Sequence, residues 1–228
     1  MITDEHIEKT RKFAQHHLAN DGDSGHNFDH VLRVYNLAIR LAKGEKVDLD
    51  VIKIAVLLHD IGGSKERKDP TGKTDHAIES AKLAKPFLEQ LGLPADKIKH
   101  ILDCIVTHRY RSEQKPQSLE AEIVFDADKL ETVGAIGLAR MFAWVGKNNA
   151  YIYKTANIEE YAKENLGGKI NGRIQDKTKH SAQLNWETKD KHVVEYLHTQ
   201  KAKDFAKDRM EFSKEFFAKL EKEINGLE

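Results

Sequence analysis

The chain has 228 residues, and its 37 Lys plus Arg balance 37 Asp plus Glu, so no overall field draws it to a nucleic-acid polymer or an anionic membrane. Hydrophobic residues make up 39% and charged residues 32%, the make-up of a globular protein long enough to bury a substantial core. A single cysteine, Cys104, excludes an intramolecular disulfide and a cysteine-based zinc site, and no apolar run reaches membrane-spanning length.

The first residues, Met1 to His6, show neither the basic nor the apolar region of a signal peptide, so a cytoplasmic location is expected. Residues 4–19 read as a first helix capped by Thr3 or Asp4, followed by a polar turn from Asn20 to Gly25. A second helix runs from about His26 to Lys43. In it His30 precedes Val34, Leu37 and Leu41 on one face and should point inward. Gly44 to Asp50 is a connection in which Asp48 or Asp50 can cap the next helix.

That next helix is apolar from Val51 to Leu58 except for Lys53, so it should be buried on most sides. It ends in His59-Asp60-Ile61-Gly62-Gly63, where Gly62 or Gly63 is expected to take a left-handed backbone and leave His59 and Asp60 beside an opening. Burying an imidazole and a carboxylate without partners is costly, so the fold must supply a cation or hydrogen bonds. A metal site answers that need; a core histidine beside an exposed carboxylate is the simpler alternative for the pair taken alone.

Ser64 to Thr74 is polar, carries Pro70 and Gly72, and reads as a mobile loop bringing Lys65, Arg67, Lys68 and Lys73 near the pair. His76 to Leu91 is helical, with Pro86 expected to kink or split it. Another helix runs from about Asp96 to His108, and His108 is in phase with its apolar face; Arg109-Tyr110-Arg111 follows. Leu119 to about Val145 reads as one long helix whose Gly134 and Gly137 each cost roughly 1 kcal/mol relative to alanine, so something should press closely on them. Within it Asp126 and Asp128 are about 200° apart and cannot face one ion together; helical phase leaves open which of them turns inward. From Lys147 to Lys179 the signal weakens, with a helical piece near 158–166 and a turn-rich break at Gly167 to Gly172. Residues 186–224 return to helical period, and the stripe Ala202, Phe205, Ala206, Arg209, Phe212, Phe216 and Leu220 reads as core packing.

His30, the pair His59-Asp60, and an Asp at 126 or 128 thus sit on three separate predicted helices. Two imidazoles and two carboxylates are mixed N/O ligands suited to Mn, Mg, Co, Ni, Fe or Zn. His30-Val31-Leu32-Arg33-Val34, Leu57-Leu58-His59-Asp60-Ile61 and Asp126-Ala127-Asp128-Lys129-Leu130 together resemble the H…HD…D signature of the HD-domain metal-dependent phosphohydrolases. The resemblance runs from about His26 to Arg140. Its narrower form, from Leu119 to Arg140, is similar to small stand-alone bacterial and archaeal HD hydrolases, although His26-Asn27 stands where relatives often have His-Asp.

The resemblance implies an all-α HD-domain helical bundle with the metal site between helices. Residues 1–145 would form this core, and 146–228 a C-terminal helical extension packed on it. It also implies a divalent metal ion held by His30, His59, Asp60 and Asp128, the last chosen by its place after Ala and before Lys-Leu. Arg33, Lys65 and Asp60 would serve catalysis, and Lys129, Arg109, His76 and His108 would contact substrate. The implied reaction is hydrolysis of a phosphoester or phosphoanhydride in a small phosphorylated molecule, a nucleotide above all, as a pyrophosphohydrolase or nucleotidase. The alternatives are a two-metal cyclic-nucleotide or cyclic-dinucleotide phosphodiesterase, with His76 and His108 as ligands, and a regulatory module that binds a nucleotide without cleaving it. No membrane is expected as partner, and a homo-oligomer is allowed.

Overall fold

The computed structural model describes residues 2–19, 25–110 and 114–227. Asn20 to Ser24 of the expected turn, and Arg111, lie outside these. The fold is all-α: among the described residues there is no strand, and Tyr151 and Ser181 form an isolated parallel bridge. No helix among them is long and apolar enough to cross a membrane.

The chain divides into two compact units, the first made of Met1–Asp128 and Leu197–Ala202 and the second of Lys129–Tyr196 and Lys203–Glu228. The first contains α1 (Asp4–Leu18), α2 (Phe28–Ala42), α3 (Leu49–Leu58), α4 (Gly63–Lys68), α5 (His76–Gln90), α6 (Ala95–Thr107) and most of α7 (Leu119–Leu130). α3 is its centre, packed against α1, α2, α5 and α6. Val51, Ile52, Ile54, Ala55, Val56, Leu57 and Leu58 are all fully buried, which is why this helix has no polar face. Each large aliphatic side chain among them contributes about 1.5–3 kcal/mol by leaving water. The Asp48 carboxylate starts α3 by accepting from Asp50 N at 3.1 Å and Val51 N at 3.2 Å.

Two expectations for the segment after α3 are corrected. Neither glycine has a left-handed backbone; Gly62 has φ −87°. Gly62 is needed because α5 lies against it: a Cβ there would fall 2.5 Å from Ser80 N, and the Gly62 N–H donates to the buried Ser80 Oγ at 2.9 Å. Nor is 64–74 a featureless loop. Its first part is helix α4, and in the turn after it Asp69 accepts from Thr71 N and Thr74 N, each at 2.8 Å. Pro86 lies inside α5 without splitting it.

The long helix expected from Leu119 to Val145 is two helices, α7 and α8 (Gly134–Lys147). The break is made by Arg209, whose guanidinium donates to Leu130 O at 2.6 Å, and by Gly134, which turns the chain at φ +78°. The close neighbour expected at the glycines is present, since a Cβ on Gly134 would lie 3.0 Å from Arg209 Cγ, and one on Gly137 2.3 Å from the Thr132 carbonyl oxygen. The second unit continues with α9 (Ile158–Asn165), α10 (Ala182–Thr188), α11 (Val193–Tyr196) and most of α12 (Gln200–Ile224). Val133, Leu138, Met141, Val145, Trp186 and Phe217 build its main core. The buried line of α12 is Ala202, Ala206, Ser213 and Phe217; Phe212, placed in the stripe by the sequence pattern, is 47% exposed.

Candidate metal centre

Four histidines and two aspartates of the first unit come together, each placed by a helix end or a buried helix face. His30 lies in the first turn of α2, where the Asn27 side chain accepts its backbone N–H at 3.2 Å and caps the helix. His59 and His108 occupy equivalent positions just past the ends of α3 and α6. There each ring turns back on its own helix: His59 Nδ1 lies 2.7 Å from Val56 O, and His108 Nδ1 lies 2.6 Å from Ile105 O. Carbonyls in the last turn of a helix lack intrahelical donors, so both bonds satisfy an orphan group. His76 is the first residue of α5, and its Nδ1 is bonded to Glu66 Oε2.

A carbonyl or carboxylate at Nδ1 requires that Nδ1 carry the proton, which leaves Nε2 of neutral His59, His76 and His108 as bare lone pairs. All three point at acceptors. His59 Nε2 is 3.6 Å from Asp60 Oδ2 and 3.9 Å from Asp128 Oδ1, and it has no hydrogen-bond partner among the described residues. His76 Nε2 and His108 Nε2 are 3.1 Å apart and lie 3.4 and 3.6 Å from Asp60 Oδ1. His30 Nε2 completes the other side, 3.5 Å from Asp60 Oδ2 and 3.4 Å from Asp128 Oδ1. Lone pairs and carboxylate oxygens gathered in a buried place repel unless positive charge sits among them. The donor set therefore fits a metal ion. His30, His59 and Asp128 form one group with donor atoms close enough to share an ion, and His59, Asp60 and His108 form another.

The electrostatics agree with such a site. Burial drives the His59 imidazole down to about 4, so it stays neutral near pH 7. Burial alone would raise the Asp60 carboxyl; positive charge on the surrounding imidazoles, His59 first, would hold it well below the usual carboxylate range, and with those imidazoles neutral the same charge has to come from a cation.

The HD-domain family model matches residues 27–133, a stretch that includes all six groups. The chain carries an HD domain there. It is 27% identical to Bacillus subtilis YpgQ over 225 residues, 97% of this chain and 95% of YpgQ. Among solved structures, a Lactobacillus plantarum protein superposes with TM-score 0.75 at 27% identity, over 99% of this chain and all of the other. An HD-superfamily hydrolase from Bacillus thuringiensis superposes with TM-score 0.70 at 27% identity, over 97% and 98% of the two chains. YpgQ itself, crystallised in complex with ADP, gives TM-score 0.70 at 23% identity over 97% and 96%. With these neighbours the HD-domain chain is placed among metal-dependent hydrolases.

Of the other residues expected at the site, the HD domain brings some together and not others. His76 and His108 join the aspartates. Lys65 instead donates to Glu79 Oε2 at 2.9 Å and is largely exposed. Arg109 bonds Glu66 Oε1 at 2.8 Å and Asp75 Oδ2 at 3.1 Å. Arg33 is one turn beyond His30 on α2, half-buried, and Lys129 is a buried residue of the last turn of α7. Asp126 is committed elsewhere: fully buried, it accepts from His198 N and Thr199 N at 2.8 Å each and from Thr199 Oγ1 at 2.7 Å. Thr199 Oγ1 in turn accepts from Ala202 N in the first turn of α12.

The pattern of the sequence gave no notice of Glu66 and Asp75. Glu66 stands among Lys65, Arg67 and Lys68, a run that looks like a solvated basic face. Its carboxyl is held at about 2: burial pulls it upward, and the His76 hydrogen bond, followed by Arg109, more than reverses that.

Proposed function

We propose that this chain is a metal-dependent phosphohydrolase that cleaves a phosphoester or phosphoanhydride bond in a nucleotide, as a pyrophosphohydrolase or a nucleotidase, in the cytoplasm. The observation that carries the reading is the convergence of bare imidazole nitrogens on Asp60 and Asp128 inside an HD domain. Support for a nucleotide comes from YpgQ, whose structure was determined with ADP.

His30, His59, Asp60 and Asp128 would hold a divalent cation, which when bound lowers the pKa of water and withdraws charge from a phosphoryl oxygen. The protein's part is positioning. His59 and His108 are held by their backbone carbonyl partners, which presets the direction of each Nε2. Asp60 presents one oxygen to each side of the site and orients water between the histidine pairs. Arg33 would meet the charge spread over the phosphoryl oxygens. Lys65 and Arg109 already answer carboxylates, so either would have to exchange its partner for phosphate.

The test is product analysis by chromatography after incubating ribo- and deoxyribonucleotide mono-, di- and triphosphates and cyclic nucleotides with the protein and Mn²⁺. Monophosphate plus pyrophosphate, or nucleoside plus phosphate, is the expected result, and His59→Ala should lose it while remaining folded. No product from any nucleotide, or full turnover in His59→Ala, defeats the proposal. A second reading, a two-metal phosphodiesterase acting on cyclic nucleotides, is favoured by the 3.1 Å approach of His76 and His108 beside Asp60 Oδ1. Two tightly bound ions per chain and a linear product from a cyclic substrate would select it; one ion would set it aside.

A further inference from the structure

Three histidines of the site have Nδ1 tied to an acceptor, but not by the same means. His59 and His108 follow helices and find the carbonyl three residues back in the last turn. His76 cannot do so. It begins α5, so no helical turn precedes it, and the acceptor for its Nδ1 has to come from elsewhere in the fold. α4 supplies it. Glu66 Oε2 takes the ring Nδ1–H of His76 and lies 3.3 Å from its backbone N, one of the orphan donors at the start of α5. The other oxygen, Oε1, is held by Arg109 Nη2 at 2.8 Å, and Arg109 Nη1 reaches Asp75, whose carboxylate caps α5 by accepting from Ala77 N at 2.8 Å. Glu66 is thus fixed on both oxygens and cannot turn away from the ring.

We infer that Glu66 is a positioning residue of this site, which, by accepting the hydrogen bond of His76 Nδ1–H, keeps the His76 Nε2 lone pair directed at Asp60 and His108. The inference rests on the two-metal reading of these groups, in which His76 and His108 are ligands. A carboxylate partner also makes an imidazole a stronger donor at its other nitrogen than a carbonyl partner does. Glu66 therefore sets both the direction and the basicity of His76, while Arg109 serves the site through Glu66. The same geometry accounts for one acid placed among Lys65, Arg67 and Lys68: an alanine there would leave His76 free to move its proton to Nε2, closing the lone pair that faces Asp60.

Long-range ¹H–¹⁵N spectra of the metal-free protein read the tautomer of each ring directly. His59, His76 and His108 should all carry the proton on Nδ1. In Glu66→Ala only His76 should change, and Glu66→Gln, whose amide oxygen can still accept, should restore its signature. Affinity for Mn²⁺, measured by calorimetry, should fall roughly 10- to 100-fold in Glu66→Ala, with Glu66→Gln between it and the original protein. His76→Ala supplies the decisive background: Glu66→Ala added to it should cost no further affinity. An unchanged His76 signal in Glu66→Ala, or the same affinity loss in the His76→Ala background, overturns the inference, the second by showing that Glu66 acts through the local fold. None of these readouts needs turnover. Should the protein hydrolyse no nucleotide, the functional reading falls and the tautomer result still decides the role of Glu66.

Discussion

Removing Asp126 and removing Asp128 should have opposite consequences, although the two residues are separated only by Ala127. The Asp126 carboxylate accepts three hydrogen bonds, all of 2.7–2.8 Å, from His198 N, Thr199 N and Thr199 Oγ1. Bonds to an ionised acceptor are worth about 1.5–3 kcal/mol each, and donors left unsatisfied in a buried place add a penalty. Because the three share one acceptor they do not add fully, and Asp126→Ala should destabilise the protein by about 3–5 kcal/mol. That is a large fraction of the roughly 5–15 kcal/mol that holds a domain together. Asp128 is instead one of two carboxylates crowding His30 and His59. Deleting it relieves repulsion in the metal-free protein, so its stability cost should be well below that of Asp126→Ala, while Mn²⁺ affinity should fall by more than roughly 100-fold, beyond the loss typical of an outer partner. Urea unfolding of the metal-free variants, with calorimetric metal titration of each, separates the two. The assignment fails if Asp126→Ala keeps its stability and loses metal, or if Asp128→Ala is destabilised as much as Asp126→Ala.

Three further outcomes are expected. Mn²⁺ at about 100 times its dissociation constant should stabilise the protein by about 2.7 kcal/mol; a thermal shift should show this, a chelator should reverse it, and its persistence in His59→Ala would count against the ligand set. Gly62→Ala drives a methyl group into the backbone of α5, 2.5 Å from Ser80 N; a loss of about 1–3 kcal/mol together with weakened metal binding is expected, and wild-type unfolding would refute the close approach. In the second unit, burial pushes the His180 imidazole down to about 4, against about 6.5 when unfolded. Between these values the unfolded chain binds the extra proton, so stability falls as pH falls, by about 2 kcal/mol from this group by pH 5. Asn165 donates to the Tyr161 hydroxyl, which leaves that hydroxyl to donate to His180 Nδ1 at 2.6 Å, so a proton on Nδ1 would also end this bond. His180→Gln should flatten the decline measured by urea unfolding at pH 7 and pH 5, and an unaltered slope would refute it.

What could be read in the sequence was what local pattern controls. α3 announces itself because a helix enclosed by neighbours needs apolar residues all round, and His30 and His108 share phase with aliphatic faces that are indeed buried. Helical phase could not separate Asp126 from Asp128, because α7 also has Val124, Phe125, Ala127 and Leu130 buried and so offers no exposed side to argue from. Asp126 faces groups 72 and 73 residues further along the chain. The same limit applies at the end of α7, where the residue that stops the helix, Arg209, lies 79 residues away from Leu130. Nor does any repeating pattern mark Glu66: its partners, His76 and Arg109, are 10 and 43 residues distant, and a single acid in a basic run has no period.

The short segment Leu197–Ala202 returns to the first unit after a long excursion through the second. Its backbone amides are what the Asp126 carboxylate holds, and Lys201 Nζ reaches Leu41 O at 3.0 Å at the end of α2. The first unit is therefore finished late. A nascent chain carries the Asp126 carboxylate without its donors until some seventy more residues have been made, and a truncation ending near residue 145 never supplies them. The stretch bearing all the site's histidines and aspartates is not a portable cassette: its completion is deferred to a part of the chain that supplies none of them.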